Sequence, residues 1–503
     1  MHFKINKWQL AIISGILFAL SFIGIGLGFL SFLAFIPYLM LLKRSNPKQS
    51  FFYGLLFGAV LIIISAYAIL FVRIYAFLGL LIGMALYLGL LSYFIKKVEL
   101  KFPKIFYFVF PMIWIGFDHF MTLGQLNFPW FNIGYSLADY YYLIQFADVL
   151  GIYGLSFVVI LINILIYRLL SSRFKTFKWI ILIFILWFGY GIYKHKTIQI
   201  KPQNLKIGLI QLNVNQEDKW KKELFKPITD DYIEQIQNLS TKQNVNLVIL
   251  PESAIAKNLL HNHVYQHKFS EIAIKNHVNI VVGFPDYDVQ LKGQTRQVKY
   301  YNSATLIDSL GKYHEKYSKI KLVPFGERIP LLNTLPILKK LQFGQANFEY
   351  GVNHNLYELN GFDFPILICF EGVFPELTRD YAARGADFLV VITNDAWFQK
   401  TVFPIEHANN TKLRAIETRL PLFRVANTGI SYIIDPKGRE IRKSKLFTKE
   451  NLVSYLPSTL EDIGKTFFVK IGYIFPIICF WSSIFLILYS LITSWILFRN
   501  YGK

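Results

Sequence analysis

A lone thiol, an ammonium and several carboxylates stand at the ends of short apolar runs in the second half of this chain. The run Phe364-Pro365-Ile366-Leu367-Ile368 delivers Cys369, followed at once by Phe370-Glu371-Gly372. Cysteine occurs only twice, and the other, Cys479, lies in a C-terminal apolar stretch. The thiolate is the reactive form of cysteine, so a nucleophilic Cys369 needs charged neighbours. Alone, the segment describes a buried structural cysteine better than a nucleophile. Two more segments change the balance. Leu250-Pro251-Glu252-Ser253 ends an apolar run in a carboxylate, and Tyr317-Ser318-Lys319 opens a stretch that closes on Gly326-Glu327. A carboxylate such as Glu252 can take the thiol proton and later a proton from an attacking amine. Lys319 can lower the thiol pKa and stabilise the oxyanion formed when a thiolate attacks a carbonyl. Glu327 and Glu371 would orient the lysine and tune the site.

These residues need elements that bring them together. Between about 200 and 465 the runs 206–210, 247–250, 280–282, 366–368 and 388–392 are short, apolar and β-branched. Helical stretches at 227–240, 266–277, 375–385 and 405–419 separate several of them. Alternating strand and helix predicts an α/β domain with a largely buried sheet, and sites of such domains gather at the strand ends. Roughly 260 residues suffice to bury an independent core.

The rest of the chain is a different kind of sequence. Of 503 residues, 54% are hydrophobic and 17% aromatic, and the mean hydropathy of +0.38 exceeds that of ordinary soluble proteins. Apolar runs fall at 8–25, 27–42, 51–72, 74–95, 105–121, 146–167, 179–193 and 470–497. Most approach the ~20 residues that cross a hydrocarbon core. Gly24, Gly26 and Gly28 mark the turn between the first two. The formal net charge of +21 follows this layout. With the N-terminus inside, Lys43, Arg44, Lys48, Lys96, Lys97, Lys101, Lys104, Arg168, Arg173, Lys175 and Lys178 all fall inside, and the short outside loops hold little basic beyond Arg73. Seven spans then place the long polar segment outside. No basic motif with interleaved aromatics suggests nucleic-acid binding, and two distant cysteines offer neither a disulfide framework nor metal spacing. Met1-His2-Phe3-Lys4 leads into an apolar run without a small-residue cleavage site, so a retained first span is expected.

Glu252, Lys319 and Cys369, in that order and context, resemble the Glu-Lys-Cys triad of the nitrilase (carbon–nitrogen hydrolase) superfamily. More specifically, the chain resembles the apolipoprotein N-acyltransferase family, its membrane branch. The resemblance rests on Gln211-x-Asn213 with Gln216 and Lys219-Trp220, on Leu322-Val323-Pro324-Phe325-Gly326-Glu327, and on Asn394-Asp395-Ala396-Trp397-Phe398. It continues through His407, Arg414-Ala415-Ile416-Glu417 and Arg424-x-Ala426-Asn427-Thr428-Gly429-Ile430-Ser431, and into the apolar part at Phe128-Pro129-Trp130, Gly134-Tyr135-Ser136 and Gly151-Ile152-Tyr153-Gly154. Two departures stand out: Phe370 where Tyr commonly follows the cysteine, and Gln399 where Gly is common, a residue that permits positive φ.

The resemblance implies a polytopic α-helical membrane domain of about eight spans plus a nitrilase-like αββα sandwich over about 204–460. The boundaries are 1–200 for the N-terminal membrane domain, 201–465 for a periplasmic catalytic domain and 466–503 for a C-terminal span. It implies acyl transfer from a phospholipid, through a Cys369 thioester, to the α-amino group of the diacylglyceryl-cysteine of an apolipoprotein, by ping-pong catalysis in the inner membrane. Catalytic roles fall to Glu252, Lys319 and Cys369, supporting roles to Glu327 and Glu371, and substrate contacts to Trp220, Phe370, Asn394 and Trp397. No cofactor or metal is called for, and a monomer is expected. The triad equally serves a membrane-anchored amidase of small amides, and a non-catalytic lipoprotein-binding scaffold is a third reading. A transporter fits less well, because the spans carry no charge relay.

Other residues carry weaker signals. The apolar stretch 329–338 suits either a lipid-dipping lid or ordinary packing. Arg73, Asp118, His119 and Asp148 read as interfacial groups near one membrane face. His407 reads as structural, since the triad leaves it no task.

Overall fold

The computed structural model describes residues 5–170, 176–292, 295–331, 334, 347–460 and 464–501. Most of the apolar stretch 329–338 lies outside the described residues. The chain divides into two compact units: Met1–Lys194 with Lys470–Lys503, and His195–Val469.

The first unit is helical. Its helices are α1 (Lys7–Leu20), α2 (Ser31–Arg44), α3 (Pro47–Ser65), α4 (Ile69–Val72), α5 (Ile74–Lys101), α6 (Phe106–Phe120), α7 (Ala147–Leu170) and α8 (Phe177–Thr197), with a C-terminal helix Ile474–Tyr501. Every expected apolar run forms a helix. Among the described residues, six stretches are long and apolar enough to cross a membrane: Leu27–Arg44, Pro47–Ser65, Ile74–Lys101, Ile144–Leu170, Phe177–Thr197 and Phe468–Thr493. The two others, α1 and α6, have 14 and 15 residues. At 1.5 Å per residue they reach about 21–23 Å, short of a ~30 Å hydrocarbon core.

Local chemistry explains the breaks. Gly26 opens the second stretch at φ +81°. Asn46 caps α3 by accepting from the Gln49 N–H at 2.9 Å, and Pro47 occupies the first turn. Gly151, at φ +65°, kinks α7. Small residues let backbones approach, as in other membrane bundles: a Cβ on Gly54 would lie 2.4 Å from Ser92 Oγ. Phe18, Phe35, Tyr38, Phe57, Phe110 and Trp114 fill the centre, with the Phe35 and Trp114 rings 4.5 Å apart. Asn163 works as polar glue, its Nδ2 donating to Ser31 O at 2.8 Å and its Oδ1 accepting from Phe35 N at 2.9 Å. Of the four ionisable residues singled out in the sequence, Arg73 is exposed and His119 is buried among aromatic rings. Asp148 pairs with Lys194 at 3.1 Å and accepts from Tyr190 at 2.6 Å, and Asp118 lines an apolar cavity.

The second unit is a sandwich of two sheets. Its strands are β1 (Ile200–Gln211), β2 (Leu247–Ile249), β3 (Asn279–Lys292), β4 (Thr295–Ile307), β5 (Tyr317–Ser318), β6 (Tyr357–Leu359), β7 (Phe362–Phe364), β8 (Ile366–Ile368), β9 (Leu389–Thr393), β10 (Leu422–Ala426), β11 (Tyr432–Ile434), β12 (Glu440–Lys443) and β13 (Glu450–Thr459). One sheet runs β13-β1-β2-β3-β4-β5, the other β12-β11-β10-β9-β8, and β6-β7 form a small hairpin. Alternation at period two sends successive residues to opposite faces. Ile207, Leu209, Leu247 and Ile249 meet Ile366, Ile368, Val390, Ile392, Phe423 and Val425 between the sheets. The alternate residues Ile210, Val248, Leu250, Ile280 and Val282 face outward and are covered by helices α10 (Lys222–Gln243) and α11 (His263–Asn276), which follow the short α9 (Gln216–Lys219). Helices α12 (Pro375–Ala383) and α13 (Phe403–Thr418) cover the second sheet, completing four αββα layers. Both faces of strands β2, β8, β9 and β10 are buried, which is why they read as unbroken apolar runs. The expected strand at 280–282 extends into a β3–β4 hairpin paired from Ile280↔Ile307 to Lys292↔Thr295.

Candidate active site

Strand register brings the reactive residues together. Strands β1, β2 and β3 pair in parallel, as do β8, β9 and β10. Glu252 follows β2, Cys369 follows β8, and Asn394 follows β9, each past the carboxyl end of its strand. Ile368 pairs with Ile392, so Cys369 and Thr393 are neighbours across the ladder. The other side of the site is Lys319, directly after β5. Its backbone N–H donates to Asn302 O at 2.8 Å, and its carbonyl accepts from Gly351 N at 2.8 Å. A Cβ on Gly351 would sit 1.8 Å from Ser318 O, so only glycine lets the chain pass there.

The carboxylates are arranged around the ammonium. Lys319, 1% exposed, donates from Nζ to Glu327 Oε1 at 2.9 Å and lies 3.9 Å from Glu252 Oε1. Glu252 Oε1 accepts from Asn302 Nδ2 at 2.7 Å, and its Oε2 accepts from the Asn394 backbone N–H at 2.9 Å. The same Asn302 Nδ2 also donates to Glu327 Oε1 at 3.0 Å. Asn302 thus joins two carboxylates that would otherwise repel, a role the sequence reading did not assign. Its sequence trace is an Asn inside the strand-forming run 300–307, where Asn is disfavoured.

Glu371 behaves differently from Glu327. It is fully buried and does not bond the Lys319 ammonium. Its Oε1 accepts from Tyr317 OH at 2.8 Å, Ile320 N at 2.6 Å and Lys321 N at 3.1 Å, and its Oε2 accepts from Ile368 N at 2.7 Å. It staples the backbone after Lys319 to the strand that ends at Cys369.

Cys369 is half-buried, unpaired and left-handed at φ +54°, and it opens a short 3-10 turn Cys369–Val373. Burial raises its thiol pKa strongly, as do the Glu252 and Asp395 charges, while Lys319 opposes them. Burial also raises the Glu252 carboxyl, with Lys319 pulling it down. Burial alone would lower Lys319, but its acidic neighbours, Glu327 foremost, outweigh it and hold the ammonium above its usual range. The site thus sets a thiol beside a carboxyl group and an ammonium. That arrangement can transfer one proton from sulfur to Glu252 while Lys319 stabilises developing negative charge.

The remaining predicted contacts divide. Asn394 is buried, donates from Nδ2 to Gln216 Oε1 at 2.7 Å and accepts at Oδ1 from Asn427 at 3.1 Å. The loop carrying Trp220 is tied to the same place, since Lys219 Nζ donates to Glu252 O at 2.9 Å. Burial lowers the Lys219 pKa to about 8. Trp220 itself is 41% exposed and Trp397 is partly exposed. Phe370 is buried against Phe374, ring centroids 5.0 Å apart. Gln399 adopts φ +50° and ψ −156°, keeping a backbone shape that suits glycine. Behind Cys369 lies a buried cluster of His407, Asp395 and Arg424. His407 Nδ1 lies 2.8 Å from Asp395 Oδ1, and Arg424 Nη2 donates to Asp395 Oδ2 at 2.8 Å. Burial pushes the Asp395 carboxyl up, but Arg424 and His407 outweigh it and hold it well below the usual carboxylate range. Among the described residues, no group of His, Cys, Asp and Glu is arranged to hold a metal ion.

A two-sheet sandwich with these groups at its strand ends is a carbon–nitrogen hydrolase domain, and the model of that family matches residues 206–466. The model for the apolipoprotein N-acyltransferase N-terminal domain matches residues 14–165. Two relatives carry the name apolipoprotein N-acyltransferase over nearly the whole length. The one from Geobacter metallireducens is 30% identical over 494 residues, covering 94% of this chain and 93% of its own. The one from Rickettsia prowazekii is 30% identical over 492 residues, covering 93% of this chain and 94% of its own. The chain belongs to the apolipoprotein N-acyltransferase family.

Proposed function

We propose that this protein transfers a fatty acyl chain from a phospholipid to the α-amino group of the diacylglyceryl-cysteine of an apolipoprotein, with Glu252, Lys319 and Cys369 as the catalytic groups. The observation that carries the reading is Glu252, oriented by Asn302 and Asn394 and lying 3.9 Å from the Lys319 ammonium, with the Cys369 thiol under the influence of both charges. In the first half-reaction Glu252 takes the Sγ proton and sulfur attacks the ester carbonyl. Lys319 stabilises the oxyanion. The C–O bond breaks, and the leaving alkoxide recovers the proton from Glu252 as a lysophospholipid. In the second half the acceptor amine attacks the thioester and gives a proton to Glu252. The C–S bond breaks, and sulfur recovers that proton. Glu327 and Glu371 support the site by holding Lys319 and the backbone on either side of it, and Trp220, Phe370, Asn394 and Trp397 belong to the substrate surroundings.

Residues 1–200 and 466–503 form the membrane part, and 201–465 form a catalytic domain on the periplasmic side of a bacterial inner membrane. The excess of Lys and Arg in alternate loops supports that orientation. One chain carries the full set of groups, so a monomer suffices. Exposure to phospholipid alone, followed by intact-protein mass spectrometry, tests the reading. The expected result is a fatty acyl adduct on Cys369 that a diacylated lipopeptide removes, yielding a triacylated product. Release of free fatty acid or ammonia without that product would favour an amidase or lipase. An unlabelled and dispensable Cys369 would favour a binding scaffold.

A further inference from the structure

We infer that His407 is a positioning residue for the nucleophile, acting through the carbonyl oxygen of Cys369; the inference rests on Cys369 being the nucleophile of the reaction above. His407 is 1% exposed, and its Nε2 lies 3.3 Å from Cys369 O. A carbonyl only accepts, so Nε2 carries the hydrogen of that bond. The other side of the ring is locked: Nδ1 lies 2.8 Å from Asp395 Oδ1 and 3.1 Å from Arg424 Nη2. Arg424 and Asp395 are fully buried. Arg424 Nη2 also donates to Asp395 Oδ2 at 2.8 Å, and its Nη1 donates to Ile430 O. Thr393 Oγ1 donates to Asp395 Oδ1 at 3.2 Å. A buried ring held on one nitrogen by an ion pair has little freedom to turn, so the direction of its Nε2–H is set by the second sheet.

What that N–H holds is an unfavourable conformation. Cys369 sits at φ +54°, in the left-handed region that L side chains disfavour. Such conformations persist where surrounding contacts impose them. Helix α13 supplies those contacts with residues one turn apart, His407 and Thr411, which share a face. His407 grips Cys369 O, and a Cβ added at Gly372 would come within 2.9 Å of Thr411 Cγ2. The turn that carries the sulfur is thus pressed against α13 at one end and hydrogen-bonded to it at the other. Rotation of the Cys369 peptide would swing Cβ and Sγ away from Glu252 and Lys319. His407 touches no reacting atom, and its part is alignment.

The test compares two amide replacements that differ in reach. In His407→Gln the side-chain N–H falls near the position of Nε2. In His407→Asn it falls near Nδ1 and cannot reach Cys369 O. Both are measured in the full-length, detergent-solubilised protein by steady-state kinetics with phospholipid and by the rate at which iodoacetamide alkylates Cys369, read by intact mass. The expected result is a Gln variant within about 3-fold of the parent. The Asn variant should be about 10- to 100-fold slower in both alkylation and kcat, the scale of a small misplacement of a reacting group. KM should be unchanged. An Asn variant as fast as the parent, or Gln and Asn variants that fall equally, would overturn the inference. Failure of the parent protein to form an acyl adduct would refute acyl transfer instead, and leaves the alkylation comparison intact.

Discussion

Asn302→Leu isolates the contribution of one neutral side chain to the candidate base. The substitution keeps the branched shape and removes the Nδ2 donor that serves Glu252 Oε1 at 2.7 Å and Glu327 Oε1 at 3.0 Å. Hydrogen bonds to a charged acceptor contribute about 1.5–3 kcal/mol each. Loss of the one to Glu252 favours its protonated form by that amount, and a pK unit corresponds to about 1.36 kcal/mol. The carboxyl, already raised by burial, should therefore rise further. A Glu252 that acts as the base must be ionised, so the acidic limb of the pH–rate profile moves up with its carboxyl. Below that limb the variant should be about 10- to 100-fold slower than the parent, and the deficit should shrink as pH rises. The assay is the rate of Cys369 acylation by phospholipid across pH 5–9, read by intact mass. An acidic limb that stays in place, or a deficit equal at every pH, would show that Asn302 does not tune Glu252.

Lys319→Met should slow acylation about 100- to 1000-fold, the scale of losing one oxyanion donor, with KM for phospholipid little changed in steady-state assays. Asp395→Asn should lower stability by about 3–5 kcal/mol near neutral pH, because Arg424 keeps its charge in a fully buried place without its partner. The Asp395 carboxyl ionises below its unfolded value of about 3.9, so its stabilisation is complete above that pH and drains as pH falls toward the folded value. The Tm gap between parent and variant should accordingly close in acid. Gln399→Gly should raise Tm by a few degrees, since the backbone there holds φ +50° and ψ −156°, a shape costing about 1–3 kcal/mol for a residue with Cβ. An unchanged or lower Tm would mean that the Gln side chain offsets the strain.

Much of this protein follows from local sequence. Apolar runs near membrane length declare the helical unit without reference to any contact. Unbroken apolar runs rich in β-branched residues, such as 388–392, declare strands buried on both faces, and the helices at α10 to α13 lie where the apolar spacing puts them. The placing of Glu252, Lys319 and Cys369 was legible too, because each follows a strand and therefore arrives at an edge of a sheet.

Other features depended on residues meeting from far apart. Asn302 lies 50 positions from Glu252 and 25 from Glu327, and nothing in its own segment announces that it bridges them. Glu327 and Glu371 read alike as carboxylates beside a lysine, yet one holds the ammonium and the other holds backbone N–H groups and the Tyr317 hydroxyl. His407 reads as one more helical polar residue until the second sheet sets Asp395 and Arg424 on one side of its ring and the Cys369 carbonyl on the other. Periodicity encodes which face a side chain presents. Which partner waits across that face is set only when the sheets pack, because hydrogen bonds require a few tenths of an ångström and sequence spacing carries no such distance.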